Sequence, residues 1–222
     1  MKPRVGIIDS GVSMSMLPYV AVSRRFNALP GDDPALPDEL GHGDRIARLI
    51  IKHCPQADLM IAQVFGKSSH TSTERVAEAI GWLVEAGAQL INMSFGLANY
   101  SVQLAQACQH AAEQGVLILA SSPSCGTADV YPAAFPHCVS VTGDPRCIEG
   151  EIAWLGLRRA SFGACSTLIA GDPRMGGGAS FACARLTGIA ASLWNQHEGD
   201  IGGLLSKLRD GACYFGPEGR RA

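Results

Sequence analysis

The chain is 222 residues long, 47% hydrophobic and 17% charged, with a formal net charge of −2. Length and balance suit one globular domain, residues 1–222, with a sizeable core, and they exclude an intrinsically disordered chain. Basic residues are not strongly clustered, Arg24-Arg25 and Arg158-Arg159 being short pairs, which argues against a nucleic-acid partner, and no apolar run reaches membrane-spanning length.

Met1-Lys2-Pro3-Arg4 leads into Val5-Gly6-Ile7-Ile8. That run is too short for the core of a secretion signal, so a cytoplasmic location without signal or pro-segment is expected. The cysteines at 54, 108, 125, 138, 147, 165, 183 and 213 are scattered. They form no Cys-x-x-Cys pair and have no histidine at zinc spacing, so reduced thiols and no metal are expected.

In chain order, Arg4 to Ile8 reads as a buried strand of a parallel sheet, ending in Asp9-Ser10-Gly11. Ligands of open α/β sheets bind at such strand ends, though an aspartate there also serves as a turn or cap residue. Residues 12–40, with prolines at 18, 30, 34 and 37, read as irregular. Ile46, Leu49 and Ile50 have helical spacing, which puts His42, between Gly41 and Gly43, at a helix start. Asp58–Phe65 reads as a strand, 66–73 as a polar loop, and Glu74–Ala86 as an amphipathic helix stopped by Gly87.

Gln89–Ser94 is the next expected strand, followed by a helix over Val102–Gln114, an apolar strand over Val116–Ala120 and a strand over Cys138–Thr142. Three glycines, 176–178, then run into Ala179-Ser180 and a helix over Ser180–Trp194; a short helix follows at Ile201–Leu208. Ser180 stands where free N–H groups and the helix dipole favour a developing negative charge, although serine is also a common N-cap. Strands alternating with helices imply an α/β fold, a mostly parallel central sheet covered by helices on both faces.

Asp9, His42 and Ser180 thus stand in order, each at a strand end or helix start. Val5–Val12, Gly41-His42-Gly43, Ile91-Asn92-Met93-Ser94-Phe95-Gly96 and Gly178-Ala179-Ser180-Phe181-Ala182 resemble, in sequence order, the aspartate, histidine, substrate-strand and nucleophile motifs of the subtilisin family of serine proteases. That resemblance covers nearly the whole chain and implies a subtilisin-like fold. Ser180 would be the nucleophile, His42 its base, and Asp9 the group that orients and stabilises the imidazole.

The resemblance also implies a peptide or protein substrate bound as an added strand, between Ser94-Phe95-Gly96 and Ser69-His70-Thr71. Ser94 to Gly96 and Ala120, Ser121, Ser122 and Pro123 would wall its first pocket, made shallow by Val130. Departures from the family pattern accompany it. Ser124 occupies the position of the asparagine that holds the oxyanion, with Ser122 or a backbone N–H as substitute donors. The loop that carries calcium in many relatives is missing, and Asp32-Asp33 reads as a solvated turn, so no calcium and no cofactor are expected. Ala184 and Arg185 replace a proline and a histidine behind the nucleophile, where altered packing or a partner contact is expected. The function these residues imply is an intracellular serine endopeptidase of narrow specificity, one that removes a leader or segment from a single protein. The alternative is an idle module of the same fold that binds an extended peptide.

Overall fold

The computed structural model describes residues 2–26, 33–124, 128–169, 172–197 and 200–218, with only the backbone described at 173–176. Its strands are β1 (Arg4–Asp9), β2 (Val20–Arg25), β3 (Asp58–Gln63), β4 (Leu90–Met93), β5 (Leu117–Ser121), β6 (Cys138–Gly143), β7 (Ile152–Leu157), β8 (Ala160–Ala164), β9 (Thr167–Ile169), β10 (Asp172–Gly177) and β11 (Tyr214–Phe215). Its α-helices are α1 (His42–His53), α2 (Thr73–Glu85), α3 (Val102–Glu113), α4 (Ala179–Leu193) and α5 (Ile201–Asp210).

Nine strands form one sheet in the order β11-β7-β8-β6-β5-β4-β1-β3-β2. All pairs are parallel except β7 with β8. The central strands are apolar on both faces because both faces are covered. Val5, Ile7, Leu59, Ile61, Leu90, Leu117 and Leu119 point into one core with α1, α4 and α5. Their neighbours Ile8, Met60, Ile91, Met93 and Ile118 point into a second core with α2 and α3. This period-two alternation fixes the register, since a one-residue slip would exchange the two faces.

Two regions differ from the sequence expectation. Residues 12–40 are not irregular throughout. Met14–Tyr19 forms a 3-10 helix and Val20–Arg25 becomes the edge strand β2; the prolines masked a half-exposed strand with weak alternation. Residues 144–177 contain the β7–β8 hairpin and the separate β9–β10 pair. The hairpin extends the sheet, and β11 extends it further by pairing with β7. Elsewhere the expected elements are present, with ends shifted by one or two residues.

Asp32 and Cys125 lie outside the described residues; Asp33 pairs with Arg25 at 2.8 Å. The seven described cysteines are free thiols. Among the described residues no helix is long and apolar enough to cross a membrane.

Candidate active site

Asp9 closes β1 and is 1% exposed. Its Oδ1 accepts the Ser10 N–H at 2.8 Å and the Ser10 hydroxyl at 3.1 Å. The chain then turns at Gly11, whose φ of +102° suits glycine. Gln63 pins that turn, donating from Nε2 to the Ser10 carbonyl at 2.8 Å. Helix α1 starts directly against it. The Gly43 N–H donates to Ser10 Oγ at 3.0 Å, and a β-carbon on Gly43 would overlap the Gly11 carbonyl oxygen. Glycine is needed there so that the first residue of α1 can reach the end of β1.

That first residue is His42. Its Nδ1 lies 2.9 and 3.0 Å from the two Asp9 carboxylate oxygens. A carboxylate only accepts, so Nδ1 carries the proton and Nε2 is left with its lone pair. Burial pulls the His42 pKa down. The Asp9 hydrogen bond and charge, with the charge of Asp38, outweigh that and Arg45, so the net shift is upward from 6.5. Asp38 also caps α1, taking the Gly41 N–H on Oδ1 at 2.8 Å and the Asp44 N–H on Oδ2 at 2.9 Å.

Ser180 lies in the first turn of α4, but the N-cap is Gly178. The cap role open to the serine in the sequence is therefore not the one it plays. Its hydroxyl donates to the Ser94 carbonyl at 2.6 Å, and the Ser94 hydroxyl donates back to the Ser180 carbonyl at 3.0 Å. Behind them Asn92 Nδ2 donates to Ser94 Oγ at 2.9 Å, and Thr187 Oγ1 lies 3.0 Å from Asn92 Oδ1. The motifs make Ser94 a pocket wall and leave Asn92 and Thr187 without a role. The signal for these two was polar residues inside otherwise apolar elements. Phe181 stacks beside the His42 ring, with centroids 6.3 Å apart. Cys183, on the same helix, is no rival nucleophile: burial pushes its thiol up to about 12, despite opposing hydrogen bonds from Ser94 and Thr187.

The expected substrate residues lie at the same end of the sheet. Ser94 is buried and Gly96 exposed. Leu97 and Tyr131 exchange backbone hydrogen bonds at 2.7 and 2.9 Å, which brings Val130 onto Gly96; a β-carbon on Gly96 would overlap Val130 Cγ1. The space left between Ser122, Pro123, Asp129 and Val130 is about 10 Å³, scarcely room for one water molecule. Ala120, Ser121 and Ser122 are buried, and Ser121 Oγ donates to the Phe95 carbonyl at 3.3 Å. Ser124 is exposed and shares a cleft with Gly178 and Ala179. Ser69 and His70 are exposed in the β3–α2 connection, and Thr71 beside them has a buried Oγ1 without a partner. Among the described residues that connection pairs with no strand.

Arg185 is 1% exposed, so it packs internally. Nε and Nη2 pair with Glu149 at 3.0 and 3.1 Å, and Nη1 donates to the Cys165 carbonyl at 3.0 Å. Glu149 also meets His53 Nε2 at 2.8 Å and Lys52 Nζ at 2.9 Å, both at the end of α1. Burial raises the Glu149 pKa, but bonds from Arg185, Lys52 and His53 outweigh that and bring it to about 2. The charge on α4 is thereby tied to the helix that carries His42.

A family model described as the Subtilase family matches residues 2–206. Among curated proteins the chain is 28% identical over 148 residues to Subtilisin Savinase of Lederbergia lenta, covering 62% of this chain and 54% of that protein. The chain spans about half, or less, of the length of the curated relatives it matches. Among solved structures it is similar to a lanthipeptide protease, with TM-score 0.78 and 20% identity over 98% of this chain and 82% of that one. It is also similar to an S41 psychrophilic protease, with TM-score 0.75 and 20% identity over 93% and 82%. Together the two structural likenesses establish the mostly parallel, helix-covered fold.

Proposed function

The chain belongs to the subtilase family, and from that premise we propose that it is a serine endopeptidase whose catalytic residues are Asp9, His42 and Ser180. One observation carries the reading. The buried Asp9 carboxylate accepts a hydrogen bond from Nδ1 of His42, which leaves the Nε2 lone pair to act as the base for Ser180 in the first turn of α4. Ser180 Oγ attacks the peptide carbonyl carbon while His42 Nε2 takes its proton. His42 then gives that proton to the departing amine. Water, deprotonated by the same nitrogen, hydrolyses the acyl-enzyme and restores Ser180. First-turn N–H groups of α4 face the oxyanion, with Ser124 as the side-chain donor in the place of the family's asparagine. If Ser124 limits the rate, Ser124→Asn raises turnover.

The substrate is a peptide or protein segment lying as an extended strand along Ser94-Phe95-Gly96, with Ser69-His70-Thr71 opposite. Val130 over Gly96 favours a small residue before the cut bond. A narrow pocket supports a processing role, the removal of a leader or segment from one protein, and the cytoplasm is the location we propose for it. The lanthipeptide protease among the structural neighbours is compatible with that role. In size and general character the chain is also similar to the protease that removes a leader from the small subunit of quinohemoprotein amine dehydrogenase.

One observation favours a second reading, an idle peptide-binding module: the Ser180 hydroxyl is bonded to the Ser94 carbonyl rather than to His42. A fluorophosphonate probe separates the two. Labelling of the parent that disappears in Ser180→Ala supports the peptidase; no labelling of the parent supports the binding module.

A further inference from the structure

The Ser180 hydroxyl carries one proton, and in this structure that proton is committed. Oγ donates it to the Ser94 main-chain carbonyl at 2.6 Å, shorter than the usual O–H···O separation of about 2.7–2.8 Å. While it points there, it is not available to Nε2 of His42. The base itself is in place. Asp9 holds Nδ1 with both carboxylate oxygens, at 2.9 and 3.0 Å, and Phe181 stacks beside the ring. Of the three residues assigned to catalysis, only the nucleophile is turned away from its task.

The acceptor is held independently of that bond. Ser94 Oγ donates to the Ser180 carbonyl at 3.0 Å and accepts from Asn92 Nδ2 at 2.9 Å, while Asn92 Oδ1 takes the Thr187 hydroxyl at 3.0 Å. These bonds use the Ser180 backbone and not its side chain, so they join β4 to α4 whichever way Oγ points. Turning Ser180 about χ1 therefore costs one hydrogen bond and moves neither element. A single neutral hydrogen bond is worth a factor of about two to twelve in an equilibrium.

The Ser94 carbonyl has a second claimant. Ser94 opens the segment Ser94-Phe95-Gly96 along which the proposed substrate lies, and strand addition pairs main-chain N–H groups with main-chain carbonyls. The next carbonyl along, that of Phe95, already accepts from Ser121 Oγ at 3.3 Å. Ser94 is 2% exposed, so its carbonyl offers an incoming N–H no second open approach while the Ser180 hydroxyl is on it. The two donors compete for one acceptor.

We propose that the Ser94 carbonyl is a latch on the nucleophile: in the free protein it holds the Ser180 hydroxyl away from His42, and a main-chain N–H of the substrate strand displaces that hydroxyl and releases it to Nε2. One hydrogen bond breaks, Ser180 Oγ–H to Ser94 O. Two form, substrate N–H to Ser94 O and Ser180 Oγ–H to His42 Nε2. No covalent bond changes and no proton changes owner until the peptide carbonyl is attacked. The proposal rests on the peptidase reading for what the released hydroxyl then does. A molecule that cannot lie as a strand leaves the latch shut, so small esters react slowly and a strand-forming peptide speeds them. The bond that favours an idle module is, on this account, the resting state of a peptidase.

The test separates the ligand that opens the latch from the molecule that reports on it. The reporter is p-nitrophenyl acetate, too small to reach along Ser94–Gly96; acetyl transfer to Ser180 Oγ releases p-nitrophenolate. The opener is acetyl-Ala-Ala-Ala amide, whose terminal carboxamide supplies the N–H and leaves the nucleophile uncovered. The control is its N,N-dimethylamide, which has no N–H at that end. Saturating amide is expected to raise the acylation rate of the parent by about threefold or more, and the dimethylamide to leave it unchanged or lower it. Binding, read by fluorescence anisotropy with fluorescein in place of the acetyl group, needs no catalysis. The amide should bind Ser180→Ala about threefold or more tightly than the parent, because no hydroxyl competes, while the dimethylamide binds both equally. A measurable acylation rate that saturating amide does not change, equal acceleration by the two peptides, or equal binding of the amide to parent and variant overturns the proposal. If the parent is never acylated yet the binding difference is present, the peptidase reading fails and the latch stands. If the parent is acylated at a rate indifferent to the amide, the latch fails and the peptidase reading stands.

Discussion

Ser94 and Ser180 hold each other by two hydrogen bonds running in opposite directions, hydroxyl to carbonyl at 2.6 Å one way and at 3.0 Å the other. The end of β4 thereby fixes the start of α4, and the Ser180 hydroxyl must turn about χ1 before it can pass its proton to His42. Ser94→Ala removes the partner of the Asn92 amide and the tie from β4 to the Ser180 carbonyl. It should cost about 1–3 kcal/mol of stability, read by thermal melting, and slow fluorophosphonate labelling of Ser180. An unchanged Tm would mean that the pair does not anchor the helix.

Labelling should also follow His42. Its upward shift from 6.5 means the neutral base appears only above that pH, so the rate should rise with a midpoint above 6.5. Asp9→Asn should drop the rate by roughly 10⁴-fold, as loss of this aspartate does in other serine proteases, and move the midpoint down, since burial then acts without the opposing charge. The sign for stability runs with the protonated form. A raised histidine stabilises the fold fully below pH 6.5, and that contribution is lost as pH rises through its folded value. The cost of Asp9→Asn in melting experiments should therefore be larger at pH 5.5 than at pH 9.

Val130 sits against Gly96, so its branched side chain fills the space beside the expected substrate strand. Val130→Gly should open that space and shift the preferred residue before the cut bond from Ala toward Phe by at least tenfold in kcat/KM, measured on matched peptides. Parent enzyme that already cleaves faster after Phe would refute the shallow pocket.

Glu149 joins α1 and α4 through His53, Lys52 and Arg185. Glu149→Ala strands a buried guanidinium and should cost about 3–5 kcal/mol. Because the folded carboxyl titrates near 2, its contribution is present above about pH 4.5 and fades as pH falls from there through 2. The variant's stability should accordingly fall less than the parent's between pH 5 and pH 2 in acid titrations followed by circular dichroism.

The sequence made the central strands, the five helices and the order Asp9, His42, Ser180 legible because each depends on local pattern: apolar runs, helical spacing and glycines at turns. The rest lacked such a pattern or depended on contacts between distant segments. The edge strand β2 is half exposed and lacks an apolar run. The β7–β8 hairpin lies in a stretch to which the sequence reading assigned no element, although the apolar run 152–157 followed by Arg158-Arg159 marked a strand and its turn. At Arg185 the sequence left altered packing and a partner contact both open, and only Glu149, 36 residues away, accounts for its burial. The Ser94–Ser180 pairing was unreadable for the same reason, since a hydroxyl facing a carbonyl 86 positions off leaves no periodic trace.

The place of β1 between β3 and β4 has a kinetic consequence. A strand near the beginning of the chain gains its two neighbours only when residues 58–63 and 90–93 have come back to it, and each return closes a long loop around a helix. Parallel pairing of this kind cannot nucleate from a tight turn, so loop-closure entropy precedes any reward from contacts. Slow folding, with the apolar run from Val5 to Ile8 exposed while it waits, is the expected cost of putting Asp9 on an interior strand of the sheet.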